Sequence, residues 1–233
     1  MKILHTSDMH GEILKKFQEE KHLFKNFDIW VDTGDWFVNF PIIQNNPFFG
    51  WGRKIVPQIE RESQKEWLKQ NKILDQLVEQ LDGRPFVSVQ GNHDFISLAD
   101  EINTFGYKNV YEVSPGGFSL FGKRWAGFPN IPYIGGEWNH ETKNEEFDQL
   151  ISQIDNSKPD ILIMHAPCGN ILDELYEENL GIGQMTNYLS YRKHNIKYVF
   201  HGHIHENGGK TSEQLGIKFF NGARNVLSHD IFD

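Results

Sequence analysis

Five times along this chain a short apolar run breaks off into a segment rich in aspartate, histidine or glycine. Residues 2–6 run into Ser7-Asp8-Met9-His10-Gly11, and residues 28–32 run into Thr33-Gly34-Asp35. Residues 85–90 run into Gly91-Asn92-His93-Asp94, and residues 160–164 deliver His165. Residues 196–200 deliver His201-Gly202-His203-Ile204-His205-Glu206. Apolar runs of this length, bounded by turn residues, predict strands. Helical spacing fills the gaps between them. Ile13, Leu14, Phe17, Leu23 and Phe24 predict a helix within residues 12–25. Trp67, Leu68, Ile73, Leu74, Leu77, Val78 and Leu81 predict one long helix over 59–81, closed by Gly83. Shorter helices are expected near 96–103, over 144–154 and over 184–194.

The middle of the chain reads differently. Residues 109–113, 118–121 and 125–128 predict antiparallel strands, with turns at Gly116-Gly117 and Gly122-Lys123. Asn207-Gly208-Gly209 predicts a hairpin turn, and strands near 210–214 and 217–220 are expected to end the sheet. Residues 170–180 are acidic and read as part helix, part loop. Two stretches fit no period. One, residues 36–56, carries Trp36, Phe37, Phe40, Phe48, Phe49 and Trp51 among prolines and glycines. It is read as a loop that packs its aromatics or lids a site, since long structureless loops in compact domains are often functional. The other, residues 129–140, carries Tyr133 and Trp138. Strands alternate with helices in both halves, which predicts a layered α/β fold with mixed sheets.

Composition narrows the classes. The 233 residues suit one domain, 1–233, large enough for a sizeable core. The 13% aromatic content argues against disorder. A net charge of −9 argues against a sequence-independent grip on nucleic acid, which needs a basic track. No stable nucleic-acid partner is expected. Cys168 is the only cysteine, so no intrachain disulfide can form. No signal-peptide core opens the chain, and no apolar run approaches the ~20 residues of a membrane helix. These features predict a cytoplasmic protein with no membrane partner.

The chemistry sits in the polar segments. In His201–Glu206, three imidazoles alternate beside a glycine, and neutral imidazole is the commonest ligand for a transition metal. If the segment is extended, His203 and His205 point the same way and converge. Asp8-x-His10 repeats that spacing near the other end. Strand-end loops on one sheet edge can meet although distant in sequence. Together the segments offer two carboxylates, an amide oxygen and four imidazoles. That set suits ions of intermediate softness. It is too large for one tetrahedral zinc, but it suits two ions bridged by a carboxylate.

Asp8-x-His10, Gly34-Asp35, Gly91-Asn92-His93-Asp94, His165 and Gly202-His203-x-His205 resemble, in order, the signature of the calcineurin-like metallophosphoesterase superfamily. The later half is also similar to a small phosphodiesterase branch that includes the brain metallophosphoesterase-domain proteins. The resemblance implies a layered αββα sandwich of two mixed sheets flanked by helices. It implies two divalent metal ions, manganese first, with Fe, Zn, Ni or Co open. Asp8, His10 and His205 would hold one ion, Asn92, His165 and His203 the other, and Asp35 would bridge. His93 would act as general acid, with Asp94 orienting it or capping the next helix. The implied activity is hydrolysis of a small phosphodiester, such as a cyclic nucleotide, by a bridging hydroxide held between ions about 3.5–4 Å apart.

Three other functions compete. One is a phosphomonoesterase. Another is a nuclease, since the opening residues are similar to SbcD-type enzymes, although the chain is short and acidic for that task. The third is a scaffold that binds metal without catalysis. Several features are set aside. His201 has no slot in the signature and is read as structural. His5, His22, His140, His194 and His229 are read as surface or core residues. Gly208-Gly209-Lys210-Thr211 lacks the earlier glycine of a P-loop, where Ile204 stands instead. Cys168 is read as a buried thiol and Arg224 as a surface residue.

Overall fold

The computed structural model describes residues 1–46 and 50–232. β1 (Lys2–Thr6) leads through α1 (Ile13–Glu19) to β2 (Ile29–Asp32). A hairpin of β3 (Ile42–Asn46) and β4 (Gly50–Lys54) precedes α2 (Pro57–Gln70) and α3 (Ile73–Leu81). β5 (Phe86–Ser88), α4 (Leu98–Phe105) and β6 (Val110–Glu112) come next. Then follow β7 (Phe118–Leu120), β8 (Lys123–Phe128), the two-residue strands β9 (Ile131–Pro132) and β10 (Glu141–Thr142), and α5 (Asn144–Ser157). β11 (Ile161–Met164), a small hairpin of β12 (Glu174–Leu175) and β13 (Glu178–Asn179), α6 (Gly183–Tyr191) and β14 (Tyr198–His201) lead to the last strands. These are β15 (Thr211–Gln214), β16 (Ile217–Asn221) and β17 (Val226–Asp230).

Two mixed sheets carry the fold. One has the order β17-β1-β2-β5-β6, the other β15-β16-β14-β11-β8-β7. Side chains alternate across each strand and so define the layers. Ile3, Ile29, Val31 and Val87 of the first sheet meet Trp125, Ile161, Ile163 and Phe200 of the second in one buried cluster. Leu4, Trp30 and Phe86 face the other way, onto Phe17, Leu68, Ile73, Leu77 and Ile102 from α1 to α4. Leu162, Met164 and Val199 face Phe147, Ile151, Ile154, Met185 and Leu189 of α5 and α6. The molecule is therefore helix, sheet, sheet, helix, the αββα sandwich that the resemblance implies. No helix among the described residues is long and apolar enough to cross a membrane.

Several local expectations are corrected. The long helix over 59–81 is two helices. Leu68 and the next buried apolar position, Ile73, are five residues apart, which breaks helical phase. Lys72 turns left-handed at φ 49° to restart the stripe, and the Asn71 amide donates back to the Trp67 carbonyl at 2.9 Å. β6 is not antiparallel: it pairs parallel with β5 after crossing over through α4. Residues 170–180 contain no helix. The Asp173 carboxylate accepts the Asn170 and Gly181 N–H groups, both at 2.9 Å, and encloses the β12–β13 hairpin. Asn207-Gly208-Gly209 does not close a hairpin: the flanking strands β14 and β15 are separated by β16, and residues 205–207 form a 3₁₀ turn. β16 is the last strand of its own sheet along the chain, but one more strand, β17, follows and crosses to the first sheet, where it pairs antiparallel with β1.

Residues 36–56 are not one irregular loop. Trp36 and Phe37 are buried, and the β3–β4 hairpin occupies much of the remainder. Pro47, Phe48 and Phe49, part of the expected lid, lie outside the described residues.

Candidate metal centre

Every polar segment identified in the sequence follows the carboxyl end of a parallel strand: β1, β2 and β5 in one sheet, β11 and β14 in the other. A parallel bridge between Ser7 and Ala223 joins the two sheets at that edge. The segments therefore meet along one seam, as ligand sites do at strand ends of α/β folds.

The turns that deliver the side chains are unusual. Asp8, His10, Asp35 and His203 all have positive φ, at 54°, 43°, 58° and 68°. Side chains other than glycine rarely sit there, and such strain collects at functional sites. Gly202 and Gly91 let the loops close. A Cβ at Gly202 would fall 1.8 Å from Ser7 Oγ, and one at Gly91 would fall 2.2 Å from Asp35 Oδ1.

Among the described residues, two groups of potential ligand atoms form side by side, Asp8 with His10 and His205, and Asp35 with His165 and His203; a third, His10 with Asp35 and His93, overlaps both. Asn92 joins the second, its Oδ1 lying 3.0 Å from His165 Nε2. Asp35 Oδ2 faces both groups, 3.3 Å from His165 Nε2 and 3.9 Å from His10 Nε2. His93 Nε2 is 3.8 Å from the same oxygen. The structure thus assembles Asp8, His10, Asp35, Asn92, His165, His203 and His205, with His93 alongside.

Each group is oriented by a bond on its far side. His165 Nδ1 lies 2.8 Å from the Thr33 carbonyl, which can only accept, so Nδ1 carries a proton and Nε2 is the nitrogen turned to the ligand group. Asp8 Oδ2 accepts the Ser7 hydroxyl at 2.6 Å and the His203 N–H at 2.8 Å, leaving Oδ1 for His205 at 3.1 Å. Asp35 Oδ1 accepts the His93 N–H at 2.7 Å, leaving Oδ2 for the histidines.

The electrostatics fit a cation. Asp8 and Asp35 are fully buried carboxylates. Burial opposes their charge, yet the surrounding imidazoles hold both below the usual carboxylate range. Burial likewise opposes charge on His165, but Asp35 and Asp8 raise it to about 10. The pocket therefore draws positive charge to the place where ligand atoms converge. Two carboxylates, four imidazoles and an amide oxygen suit intermediate divalent ions.

His203 and His205 do not converge as an extended segment would make them. His203 is left-handed and His205 opens the 3₁₀ turn, so the two rings enter different groups. Asp94 neither orients the His93 ring nor caps a helix. Its Oδ2 accepts the N–H groups of Asp35 and Gly91, both at 2.8 Å. Its Oδ1 accepts those of Trp36 and Phe37, at 2.9 and 3.2 Å. Asp94 is the clasp between the Asp35 turn and the 91–94 segment.

His93 is positioned by residues of which the sequence reading named only Trp138. Its Nδ1 bonds Asn39 Oδ1, and the Asn39 amide donates to Glu60 at 3.2 Å. The Gln64 amide donates to the His93 carbonyl at 2.8 Å while its Oε1 accepts from Phe95. Glu60 and Gln64, four apart on α2, are both fully buried. Trp138 packs on the His93 ring with centroids 4.3 Å apart. Their signals were a polar pair at helical spacing and an aromatic in an aperiodic stretch.

The residues set aside mostly behave as read. Cys168 is buried beside Met164. His5 and His201 are buried in the core, and His22 is exposed. His140 lies nearer the site than expected, its Nε2 2.7 Å from Gln90 Oε1. Arg224 is exposed and lies 3.1 Å from Glu12, close enough to act on His205.

A sequence model of the calcineurin-like phosphoesterase family matches residues 1–207. An uncharacterized protein of Methanocaldococcus jannaschii, MJ1162, is 25% identical over 215 residues, covering 88% of this chain and 81% of that one. The crystal structure of TT1561 of Thermus thermophilus is similar with a TM-score of 0.59 and 13% identity, over 99% of both chains. At that identity the likeness bears on the fold alone.

Proposed function

The chain belongs to the calcineurin-like phosphoesterase family of metal-dependent phosphoester hydrolases, and on that premise we propose that it cleaves a small phosphodiester of nucleotide size. The observation that carries this reading is Asp35 Oδ2, one buried oxygen facing two ligand groups with the His93 ring beside it. Asp8, His10 and His205 would hold one divalent ion, and Asn92, His165 and His203 the other, with Asp35 shared between them. When bound, such a pair would supply acidification of a water and charge neutralisation at phosphorus. Manganese is the ion to test first, followed by Fe, Zn, Ni and Co.

The protein's own part is placement and proton supply. Asn39 accepts from His93 Nδ1, so the ring presents Nε2 to the site. That nitrogen protonates the departing oxygen. Burial lowers the ring's basicity and Asp35 partly offsets it. Asp94 and the α2 pair Glu60 and Gln64 act on position only. A diester is favoured over a monoester because it carries one less negative charge. Arg224, a cation that acts on His205, is already paired with Glu12.

Rates on bis-p-nitrophenyl and p-nitrophenyl phosphate, measured with each metal, test this. Faster diester cleavage is expected. Cleavage of the monoester alone moves the function to a phosphomonoesterase, and no cleavage of either removes the reading.

A further inference from the structure

Trp138 is a large aromatic side chain that the core does not use. It is only partly buried, and its loop neighbours Tyr133 and Ile134 are 54% and 63% exposed. Its indole lies against His93 with centroids 4.3 Å apart and planes inclined at 41°.

The loop that carries it is tied down by polar bonds. Glu141 Oε2 accepts the N–H groups of Ile134, Gly135 and Gly136 at 2.8, 2.8 and 2.6 Å. Its Oε1 accepts the N–H of Trp138 itself at 2.9 Å. The next residue reaches the metal-site segment. Asn139 N donates to the Asn92 carbonyl at 3.1 Å, and its side-chain amide donates to the Asp94 carbonyl at 2.6 Å. The indole is thus fixed relative to Asn92, His93 and Asp94, although ordering a loop costs conformational entropy. Packing alone would favour burying such a ring. Holding it half open beside a proton donor suits a surface meant to be covered by a ligand.

We propose that Trp138 is a stacking wall for a planar aromatic ring, a nucleobase or aryl group, on the side of the phosphoester that departs with the oxygen His93 protonates. The inference rests on the role given to His93 above and adds to it the class of leaving group. The partial exposure of the indole leaves room for a ring, while the acidic chain, net charge −9, disfavours a long polyanion. A ligand of one or two nucleotides fits both facts. Base-on-aromatic stacking tightens binding by roughly 5- to 150-fold per base.

The test compares adenosine 5′-monophosphate with ribose 5-phosphate, by calorimetry on the manganese-loaded protein. Wild type should bind the base-bearing ligand at least about 5-fold more tightly. Trp138→Ala should reduce that preference to near unity with little change in ribose 5-phosphate binding or metal content. Trp138→Phe should keep most of it. An unchanged preference in Trp138→Ala, or equal weakening of both ligands, overturns the proposal. If wild type shows the base preference but cleaves no phosphoester with any metal, the function reading falls and the stacking wall stands. If it cleaves diesters with no base preference, the stacking wall alone falls.

Discussion

The molecule holds two sets of histidines that differ in one respect, the presence of carboxylates. At the seam, His10, His93, His165 and His205 each lie within 3.9 Å of Asp8 or Asp35. In the core, His5 and His201, and beside it the half-buried His229, have no such ion pair among the described residues. His5 and His229 pack against the Phe200 ring, and His201 follows Phe200 at the end of β14. The consequences are opposite. The two carboxylates raise the fully buried His165 to about 10 against burial, whereas burial takes the equally buried His201 down to about 4. Burial and neighbouring imidazoles hold His5 well below its usual value. Burial lowers His93 and His203 at the seam as well, so the contrast is sharpest between two fully buried rings: His165, where the carboxylates favour positive charge, and His201, which stays neutral.

That contrast can be broken or sharpened by substitution. The largest effect is expected at the seam. His93→Ala should lower kcat by about 10²–10⁴-fold with metal content unchanged, as loss of a general acid does. Turnover close to wild type would remove His93 from that role.

The core set gives the next effect, through acid stability. A histidine whose folded pKa lies below its unfolded value of about 6.5 stabilises the fold above that pH. Its contribution is lost as pH falls from about 6.5 towards 4. For His201 that amounts to roughly 3 kcal/mol. Neither ring nitrogen of His201 has a hydrogen-bond partner among the described residues, so His201→Phe strands no polar group there. The variant should lose less stability than wild type between pH 6.5 and 4 in urea titrations, and equal loss would contradict the contrast.

A smaller effect is expected one bond away from His93. Asn39→Ala removes the acceptor on Nδ1 but leaves Nε2 in place. The cost should be about 10–100-fold in kcat with little change in KM, the size seen when an orienting partner is removed. A change confined to KM would mean that Asn39 touches substrate instead.

Much of this arrangement can be read from the chain, and the parts that cannot have physical reasons. The runs ending at Thr6, Asp32, Ser88, Met164 and His201 are short and strongly apolar, and their polar termini fall on the seam. Alternation then assigns Ile3 and Leu4 to opposite layers. The paths of His203 and His205 were not legible, because a left-handed φ at a histidine leaves no mark in the residue pattern. Glu60 and Gln64 look like part of a solvated helix face. They are buried because Phe40, Asn39 and His93 present backbone and amide groups to them. β17 escaped notice because only Val226 of its residues is buried, so its pairing with β1 carries little apolar signal.

The central claim is that Asp35 joins two cation sites, while the core histidines join none. Metal content of the desalted protein after manganese loading tests it most directly, measured alongside Asp35→Asn and His201→Phe. Two ions per chain are expected in wild type and in His201→Phe, with clear loss in Asp35→Asn. Fewer than one ion in wild type, or full loading without the Asp35 carboxylate, would contradict the account.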